Sequence, residues 1–178
     1  MAPSFNIVTL CTGNVARSVM LAYMLTTLSE ANGEAWRIRS AGTHVVEGSA
    51  MSARTRDALL GIDELGRHHY NAHRSHQLSG DDVAWADLVL TSEASHVTHV
   101  RANFPDAAGK AVQLHQFVRY APLDESFATQ VRVVASMDPD AQLDVADPAG
   151  GDDVIYRACA HELWDMAQVF ATLLGDAN

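Results

Sequence analysis

A cysteine and an arginine six positions apart define the segment of this sequence with the clearest chemical potential. Cys11 begins the run Cys-Thr-Gly-Asn-Val-Ala-Arg-Ser, which ends with Arg17 and Ser18. A cysteine must ionise before it can attack an electrophile. The planar guanidinium of an arginine can hold two oxygens of a phosphate at once. The spacing therefore predicts a thiolate nucleophile that faces a bound oxyanion.

The flanking residues predict elements that would position this pair. An apolar stretch at 5–10 predicts a strand and 18–31 predicts a helix. A tight loop between a strand and a helix points backbone N–H groups at an anion, and these groups would also stabilise a thiolate. For Cys11 alone, a buried structural cysteine at a strand end is the alternative. The predicted phosphate-binding loop adds Thr12, Gly13, Asn14, Val15, Ala16 and Ser18 to Cys11 and Arg17.

Three of these loop residues have expected local roles. Gly13 and Asn14 both tolerate positive φ where the loop bends, and the Asn14 amide can tie the loop down. We expect Ser18 to donate a hydrogen bond to the sulfur of Cys11 and to cap the N-terminus of the helix.

Segments spread from residue 5 to about 175 resemble the low-molecular-weight protein tyrosine phosphatase family, whose fold is shared by thiol-dependent arsenate reductases. The resemblance is weakest at 116–143. Besides the loop, the matching segments are Ser40-Ala41-Gly42-Thr43, His73-Arg74-Ser75-His76-Gln77-Leu78, Asp87-Leu88-Val89-Leu90 with Glu93-Ala94-Ser95-His96, and Asp147-Pro148-Ala149-Gly150-Gly151.

The resemblance implies a cysteine-dependent phosphatase that uses no cofactor. In that mechanism Cys11 is the nucleophile, Arg17 binds phosphate and Asp147 is the general acid and base. His73 resembles the family residue that holds the loop asparagine, here Asn14. Considered without the loop, Asp147-Pro148 followed by two glycines would be a turn that caps the last helix, and His73 would be a surface residue.

Departures from the family pattern concern the substrate. The second cysteine that many members carry before the arginine is Ala16 here. Aromatic pocket walls of phosphotyrosine-selective members are missing, and the candidates for those positions are His44, Val46 and Ala149. Val15 replaces the threonine of the phosphoarginine-selective branch and cannot make its polar contact. Val15 therefore favours a phosphate monoester as substrate, with protein phosphotyrosine as the leading candidate and small phosphoesters included. The missing aromatic walls leave broad or weak selectivity, or a substrate other than phosphotyrosine, as the alternative.

Two other functional classes remain open at this point. An arsenate reductase-like oxyanion redox enzyme needs further thiols, for which Cys159 is the only internal candidate. A non-catalytic phosphoprotein-binding module is the other alternative. Such a module has no chemical need for Cys11, Arg17 and Asp147 together.

Composition and periodicity predict a single three-layer α/β domain at 1–178, with a mainly four-stranded parallel sheet and helices on both faces. The active loop would follow the first strand, at the carboxyl edge of the sheet. The segment 116–143, which contains the predicted helix 125–136, could be core or a partner surface, and apolar positions in a helix favour core. Further strand candidates are 35–39, 86–91 and 111–114, and further helix candidates are 50–61, 93–102, 125–136 and 152–174.

Charge and residue usage narrow the expected partners. The net charge of −10 argues against nucleic-acid binding. Neither a membrane-spanning segment nor a signal peptide is recognisable, and the two cysteines are far apart. We therefore expect a cytoplasmic monomer or weak dimer. The histidines clustered at 68–76 and at 96–99 lack a recognised zinc spacing, so no metal site is predicted.

Overall fold

A parallel sheet of four strands lies at the centre of the structure, a computed structural model that describes residues 4–66 and 68–175. The order across the sheet is β2-β1-β3-β4, and every pairing is parallel. The carboxyl ends of the strands therefore meet at one edge, and the predicted α/β fold is confirmed. The strands are β1 (Asn6–Cys11), β2 (Arg37–Gly42), β3 (Leu88–Thr91) and β4 (Ala111–Gln113).

Helices cover both faces of this sheet. Short 3-10 turns at Asp63–Leu65, Tyr70–Ala72, Pro105–Lys110 and Ala141–Leu143 complete the connections. Among the described residues, no helix combines the length and hydropathy needed to cross a bilayer. The α-helices are α1 (Arg17–Ala31), α2 (Ala53–Leu60), α3 (Gly80–Trp85), α4 (Ala94–Asn103), α5 (Leu114–Tyr120), α6 (Phe127–Ala135) and α7 (Asp153–Gly175).

Two hydrophobic cores lie on opposite faces of the sheet. Successive strand residues alternate between them, as the period of two requires: Ile7 joins the larger core and Val8 the smaller one. Helices α1 and α7 fill the larger core, whereas α3 and α4 cover the smaller one. Burial on both faces explains why neither β1 nor β3 alternates regularly between apolar and polar residues.

The 116–143 segment belongs mainly to the larger core. Phe117 and Val134 are fully buried, and Phe127 and Val131 are nearly so. Tyr120, at the end of α5, is instead 44% exposed. The core interpretation of this segment is therefore right for the inward faces of α5 and α6.

Local boundaries differ from the predictions where tertiary contacts decide them. Strand β2 runs to Gly42, beyond the predicted end at 39, because it pairs with β1 as far as Cys11. The predicted strand 111–114 ends at Gln113, and Leu114 already begins α5. Helix α1 begins at Arg17 with Ala16 at its N-cap and no side-chain cap. The prediction that Ser18 caps this helix is therefore wrong.

Candidate active site

The phosphate loop, residues 11–18, connects the inner strand β1 to helix α1 at the carboxyl edge of the sheet. Asn14 has φ of 53°, a left-handed conformation that asparagine tolerates better than most residues. Gly42, at the end of β2, lies directly against the loop. A Cβ atom at Gly42 would be 2.4 Å from the carbonyl oxygen of Thr12, so only glycine fits without a shift of backbone.

Five carbonyl oxygens of this loop accept hydrogen bonds from groups around it. Among the described residues, by contrast, no acceptor is bonded to the backbone N–H groups of 12–16. Carbonyls turned outward leave the N–H groups to face an anion bound within the loop. The outward pairs are Cys11 with the N–H of Thr43 (3.0 Å), Thr12 with the N–H of His44 (2.9 Å), Asn14 with Nε2 of His73 (2.8 Å), Val15 with the hydroxyl of Thr55 (2.8 Å), and Ala16 with the N–H of Met20 (2.8 Å).

The thiol of Cys11 has a directed hydrogen-bond partner. Its Sγ lies 2.9 Å from Oγ of Ser18, and Nδ2 of Asn14 donates to the same Oγ at 2.9 Å. Because the Asn14 amide supplies the hydrogen of that second bond, the hydroxyl hydrogen of Ser18 remains available for the sulfur. The expected contact between Ser18 and Cys11 is therefore present, although Ser18 does not cap the helix.

Arg17 is almost completely buried and is held by acceptors from two distant segments. Its Nη1 donates to Glu93 and, at 2.9 Å, to the carbonyl oxygen of Val145. Its Nη2 lies 3.1 Å from Oδ2 of Asp147. The guanidinium is thus fixed on one side, while its other side pairs with a more exposed carboxylate.

Asp147 lies on the loop that precedes α7, and its side chain is about half exposed. Its Oδ1 accepts from the N–H of Ala149 at 3.1 Å, while Gly150 takes φ of 80°. The capping function at α7 belongs to Asp152, whose Oδ1 accepts from two N–H groups of the first turn. The structure therefore brings Asp147 to Arg17 and assigns the cap to a different aspartate.

The segment 73–77 supports the loop through Asn14. The N–H of His76 donates to Oδ1 of Asn14 at 2.9 Å, and Nε2 of His73 donates to its carbonyl oxygen. Burial lowers the pKa of His73 and outweighs the opposing effect of that hydrogen bond. Sequence reasoning placed His73 beside Asn14 but missed the contribution of the His76 backbone.

Two residues at the start of α4, Glu93 and His96, also belong to the site and were not among the predicted site residues. The Nε2 atom of His96 lies 2.9 Å from the hydroxyl of Thr12. Burial acts to raise the pKa of Glu93, but the hydrogen bond and charge of Arg17 outweigh it and lower that pKa. The only signal in the sequence was the resemblance of 93–96 to a family segment.

The side chains of the three candidate pocket walls are exposed, and the backbone of His44 is hydrogen-bonded to the loop at Thr12. Val46 is 78% exposed, and His44 and Ala149 are also exposed. The ring of His44 lies 5.7 Å from that of His99 in an edge-to-face arrangement. Tyr156 is buried in the larger core, which leaves these three exposed residues as the wall candidates.

Neither a metal cluster nor a redox relay is indicated. Within residues 4–66 and 68–175, no group of three or more histidines, cysteines or acidic residues is arranged to hold a metal ion. Cys159 is buried beneath the Asp147 loop, with Sγ 4.0 Å from the carbonyl oxygen of Ala146. Burial raises the pKa of its thiol to about 12, which does not suit a second thiol in an exchange reaction.

A buried arginine, a cysteine at a strand end and a loop of inward N–H groups define the site of a cysteine-dependent phosphatase. The family model described as low molecular weight phosphotyrosine protein phosphatase matches residues 6–125. The chain belongs to this family, and the family resemblance seen in the sequence is confirmed.

Similar proteins differ in the substrate that their names give. A protein-arginine-phosphatase of Geobacillus stearothermophilus is 32% identical over 161 residues, which is 89% of this chain and 88% of the relative. Another from Bacillus subtilis is 28% identical and covers 95% and 96%. A structure of a low molecular weight protein tyrosine phosphatase from T. tengcongensis has a TM-score of 0.76 at 27% identity and covers 94% and 98%.

Proposed function

We propose that this phosphatase hydrolyses protein phosphate monoesters through a cysteinyl-phosphate on Cys11, with phosphotyrosine as the leading substrate. The observation that carries the proposal is the loop around Cys11, whose carbonyls are bonded outward and whose N–H groups are left for an anion. Arg17 borders the same loop and adds a buried positive charge. A tetrahedral phosphoryl group matches this arrangement of donors.

In the first step, the thiolate of Cys11 attacks phosphorus and the bond from phosphorus to the leaving oxygen breaks. Asp147 donates a proton to that oxygen as it departs. The Ser18 hydroxyl donates a hydrogen bond to the sulfur, while the loop N–H groups and Arg17 stabilise the charge on the phosphoryl oxygens. The products are a cysteinyl-phosphate and the free hydroxyl of the substrate.

In the second step, water attacks the phosphorus of the cysteinyl-phosphate. Asp147, now a carboxylate, accepts a proton from the water as the P–S bond breaks. Inorganic phosphate leaves and the thiolate of Cys11 is restored. The proton that Asp147 gave up in the first step is thus recovered in the second.

Binding of phosphate requires an exchange of partners at Arg17. In the structure, Nη2 of Arg17 pairs with Asp147, whereas Nη1 donates to Glu93 and to the carbonyl oxygen of Val145. The incoming phosphate takes the Asp147 side of the guanidinium, because that carboxylate is the more exposed of the two. Release from Arg17 frees Asp147 to face the leaving oxygen.

Val15 supports an ester as the preferred substrate. A phosphorylated guanidinium carries N–H donors next to phosphorus, whereas the aryl ester of phosphotyrosine carries none. The half-buried side chain of Val15 has no polar atom to accept from such donors, and a donor that loses water without gaining a partner is costly.

Protein phosphoarginine is the second candidate. It is supported by the names of two relatives that align with most of this chain and by the exposed, non-aromatic candidate walls at Val46 and Ala149. A phenyl ring would find no stacking partner at either position. Val15 therefore favours phosphotyrosine, whereas the exposed walls without an aromatic ring favour phosphoarginine.

One peptide pair separates these candidates. The two peptides are identical except at one position, which is phosphotyrosine in one and phosphoarginine in the other. Initial rates on both are measured for wild type, Val15→Thr and Cys11→Ser. We expect wild type to favour phosphotyrosine, Val15→Thr to shift preference toward phosphoarginine by roughly tenfold or more, and Cys11→Ser to be inactive on both. Faster turnover of phosphoarginine by wild type would reverse the assignment of substrate.

A further inference from the structure

We propose that His96 is a positioning residue that holds the Thr12 hydroxyl as a hydrogen-bond donor to a phosphoryl oxygen. This inference rests on the proposed function, because Thr12 directly follows the nucleophile in the phosphate loop. The two side chains are 84 positions apart in sequence and come together where α4 begins beside the loop.

The tautomer of His96 follows from its two hydrogen bonds. The backbone N–H of Glu93 points at Nδ1 of His96 at 3.2 Å. A backbone N–H only donates, so Nδ1 must be the unprotonated acceptor of a neutral imidazole. The ring proton is therefore on Nε2, which donates to the oxygen of Thr12 at 2.9 Å.

The surroundings keep this imidazole neutral. His96 is only 2% exposed, and burial lowers its pKa to about 4 even though the carboxylates of Glu93 and Asp147 oppose that change. Arg17 and His99, the positive or ionisable neighbours of the ring, act in the same direction as burial. The Nε2–H tautomer is thus maintained at neutral pH.

The consequence concerns the one hydrogen of the Thr12 hydroxyl. Since its oxygen already accepts from His96, that hydrogen is directed away from the imidazole. Among the described residues, the hydroxyl has no other hydrogen-bond partner. Thr12 is partly exposed at the loop, so a phosphoryl oxygen bound there can take this hydrogen. Such a bond to a charged oxygen is stronger than one between neutral groups.

A mutant cycle with an aryl phosphate tests the role. Thr12→Val is expected to lower kcat/KM roughly tenfold, the effect of one hydrogen bond to a charged group. His96→Leu is expected to lower it by a similar or smaller factor. The double variant should be no worse than Thr12→Val alone, because both changes remove the same bond. His161→Leu, at an exposed histidine of α7, serves as the control.

Rescue and spectroscopy distinguish positioning from folding. His96→Gln retains an N–H donor for Thr12 and is expected to recover most of the activity that His96→Leu loses. Nitrogen-15 spectra of the wild-type imidazole should show the proton on Nε2 between pH 5 and 8, whatever the activity. Additive losses in the double variant, failure of rescue by glutamine, or a proton on Nδ1 would each overturn the inference. If the wild-type protein does not turn over the aryl phosphate at all, or if its turnover does not depend on Cys11, the result would instead contradict the proposed function.

Discussion

The phosphate loop and its candidate walls differ in the burial and the hydrogen bonding of their side chains. In the loop, Asn14 and Arg17 are buried and committed to directed hydrogen bonds. In the walls, the side chains of Val46 and Ala149 are exposed and make no comparable contacts within the described residues. Except on the Asp147 side of Arg17, the polar groups of the chemical centre are thus held in place by the protein itself, whereas the surface that would meet the rest of the substrate is open.

This difference predicts that the loop determines the rate of phosphoryl transfer and that the walls influence the choice of substrate. Pre-set donors stabilise developing charge without reorganisation, which favours catalysis of the transfer step. Open walls contribute little discrimination, because few contacts distinguish one leaving group from another. We therefore expect substitutions near the loop to reduce turnover or stability, and substitutions in the walls to change preference among substrates.

The largest effect is expected from Asp147→Asn, which removes the proposed proton donor while keeping the size of the side chain. kcat should fall by roughly 10²–10⁴-fold, the range of general acid–base catalysis. The loss should be greater for phenyl phosphate than for 4-nitrophenyl phosphate, whose leaving oxygen needs less protonation. Inorganic phosphate should bind more tightly, because Arg17 loses a competing carboxylate.

Asp152→Asn is the matched control for that substitution. It makes the same change of charge in the same loop, and asparagine caps a helix about as well as aspartate. Activity within about twofold of wild type is expected. Equal losses in both variants, or no dependence on the leaving group, would contradict the acid role of Asp147.

The next effect concerns the close contact between β2 and the loop. Gly42→Ala places a methyl group against the Thr12 carbonyl, so the loop or the strand must shift. We expect a loss of about 1–3 kcal/mol in the free energy of unfolding, together with reduced kcat. Urea titration measures the first quantity. Gly80→Ala has open space around the new atom and should cost far less.

Much of the fold was predictable because its signals are local. The apolar run before Cys11 and the helical pattern after it correctly indicated β1 and α1, with the strand one residue later and the helix start one residue earlier than predicted. Helices α3 and α5 were missed since each is shorter than two full turns of clear periodicity. The end of β2 depends on its pairing with β1, which a single segment does not reveal.

In the site, too, contacts between residues close in sequence could be predicted and contacts between distant residues could not. The contact between Cys11 and Ser18 could be predicted because both residues are in one short loop. Glu93 pairs with Arg17 across 76 positions, and no spacing rule connects residues so far apart. An acidic residue at a predicted helix start is normally interpreted as a capping group. Glu93 does occupy the N-cap position of α4, where its N–H donates to Nδ1 of His96, but its side chain holds Arg17.

A smaller effect is expected from adding an aromatic wall. Val46→Tyr offers a ring for stacking, worth about 0.5–1.5 kcal/mol. This corresponds to a roughly two- to tenfold gain in kcat/KM for a phosphotyrosine peptide, with little change for a small alkyl phosphate. Leu123→Tyr, at an exposed site between α5 and α6, is the control. A gain on both substrates would show that Val46 does not discriminate among leaving groups.

The smallest predicted effect is a pH dependence of stability at the junction of wall and loop. The imidazole of His76 is hydrogen-bonded through Nε2 to Oδ2 of Asp82 at 2.7 Å and through Nδ1 to Oε1 of Glu47 at 3.2 Å. Burial acts to lower the pKa of His76, but these two hydrogen bonds outweigh it and raise that pKa. The imidazolium contribution is therefore complete below about pH 6.5 and is lost as pH rises through the raised value.

A comparison of wild type with His76→Gln tests this dependence. The pKa of Glu47 is lowered by its backbone and His76 hydrogen bonds. The pKa of Asp82 is also lowered, although burial opposes the hydrogen bonds from Ser79 and His76. Both carboxylates are thus ionised above about pH 5. The difference in unfolding free energy should be greatest near pH 5–6 and shrink toward pH 8, and a difference that grows with pH would contradict this assignment.

Transfer of the phosphoryl group to Cys11 is the central claim, and trapping the intermediate tests it most directly. An aryl phosphate is mixed with wild type and with Asp147→Asn, the reaction is quenched rapidly, and the protein is mapped by mass spectrometry. We predict one phosphoryl group on the peptide that contains Cys11, and none in Cys11→Ala. Phosphorylation at another residue, or full turnover by Cys11→Ser, would contradict the account.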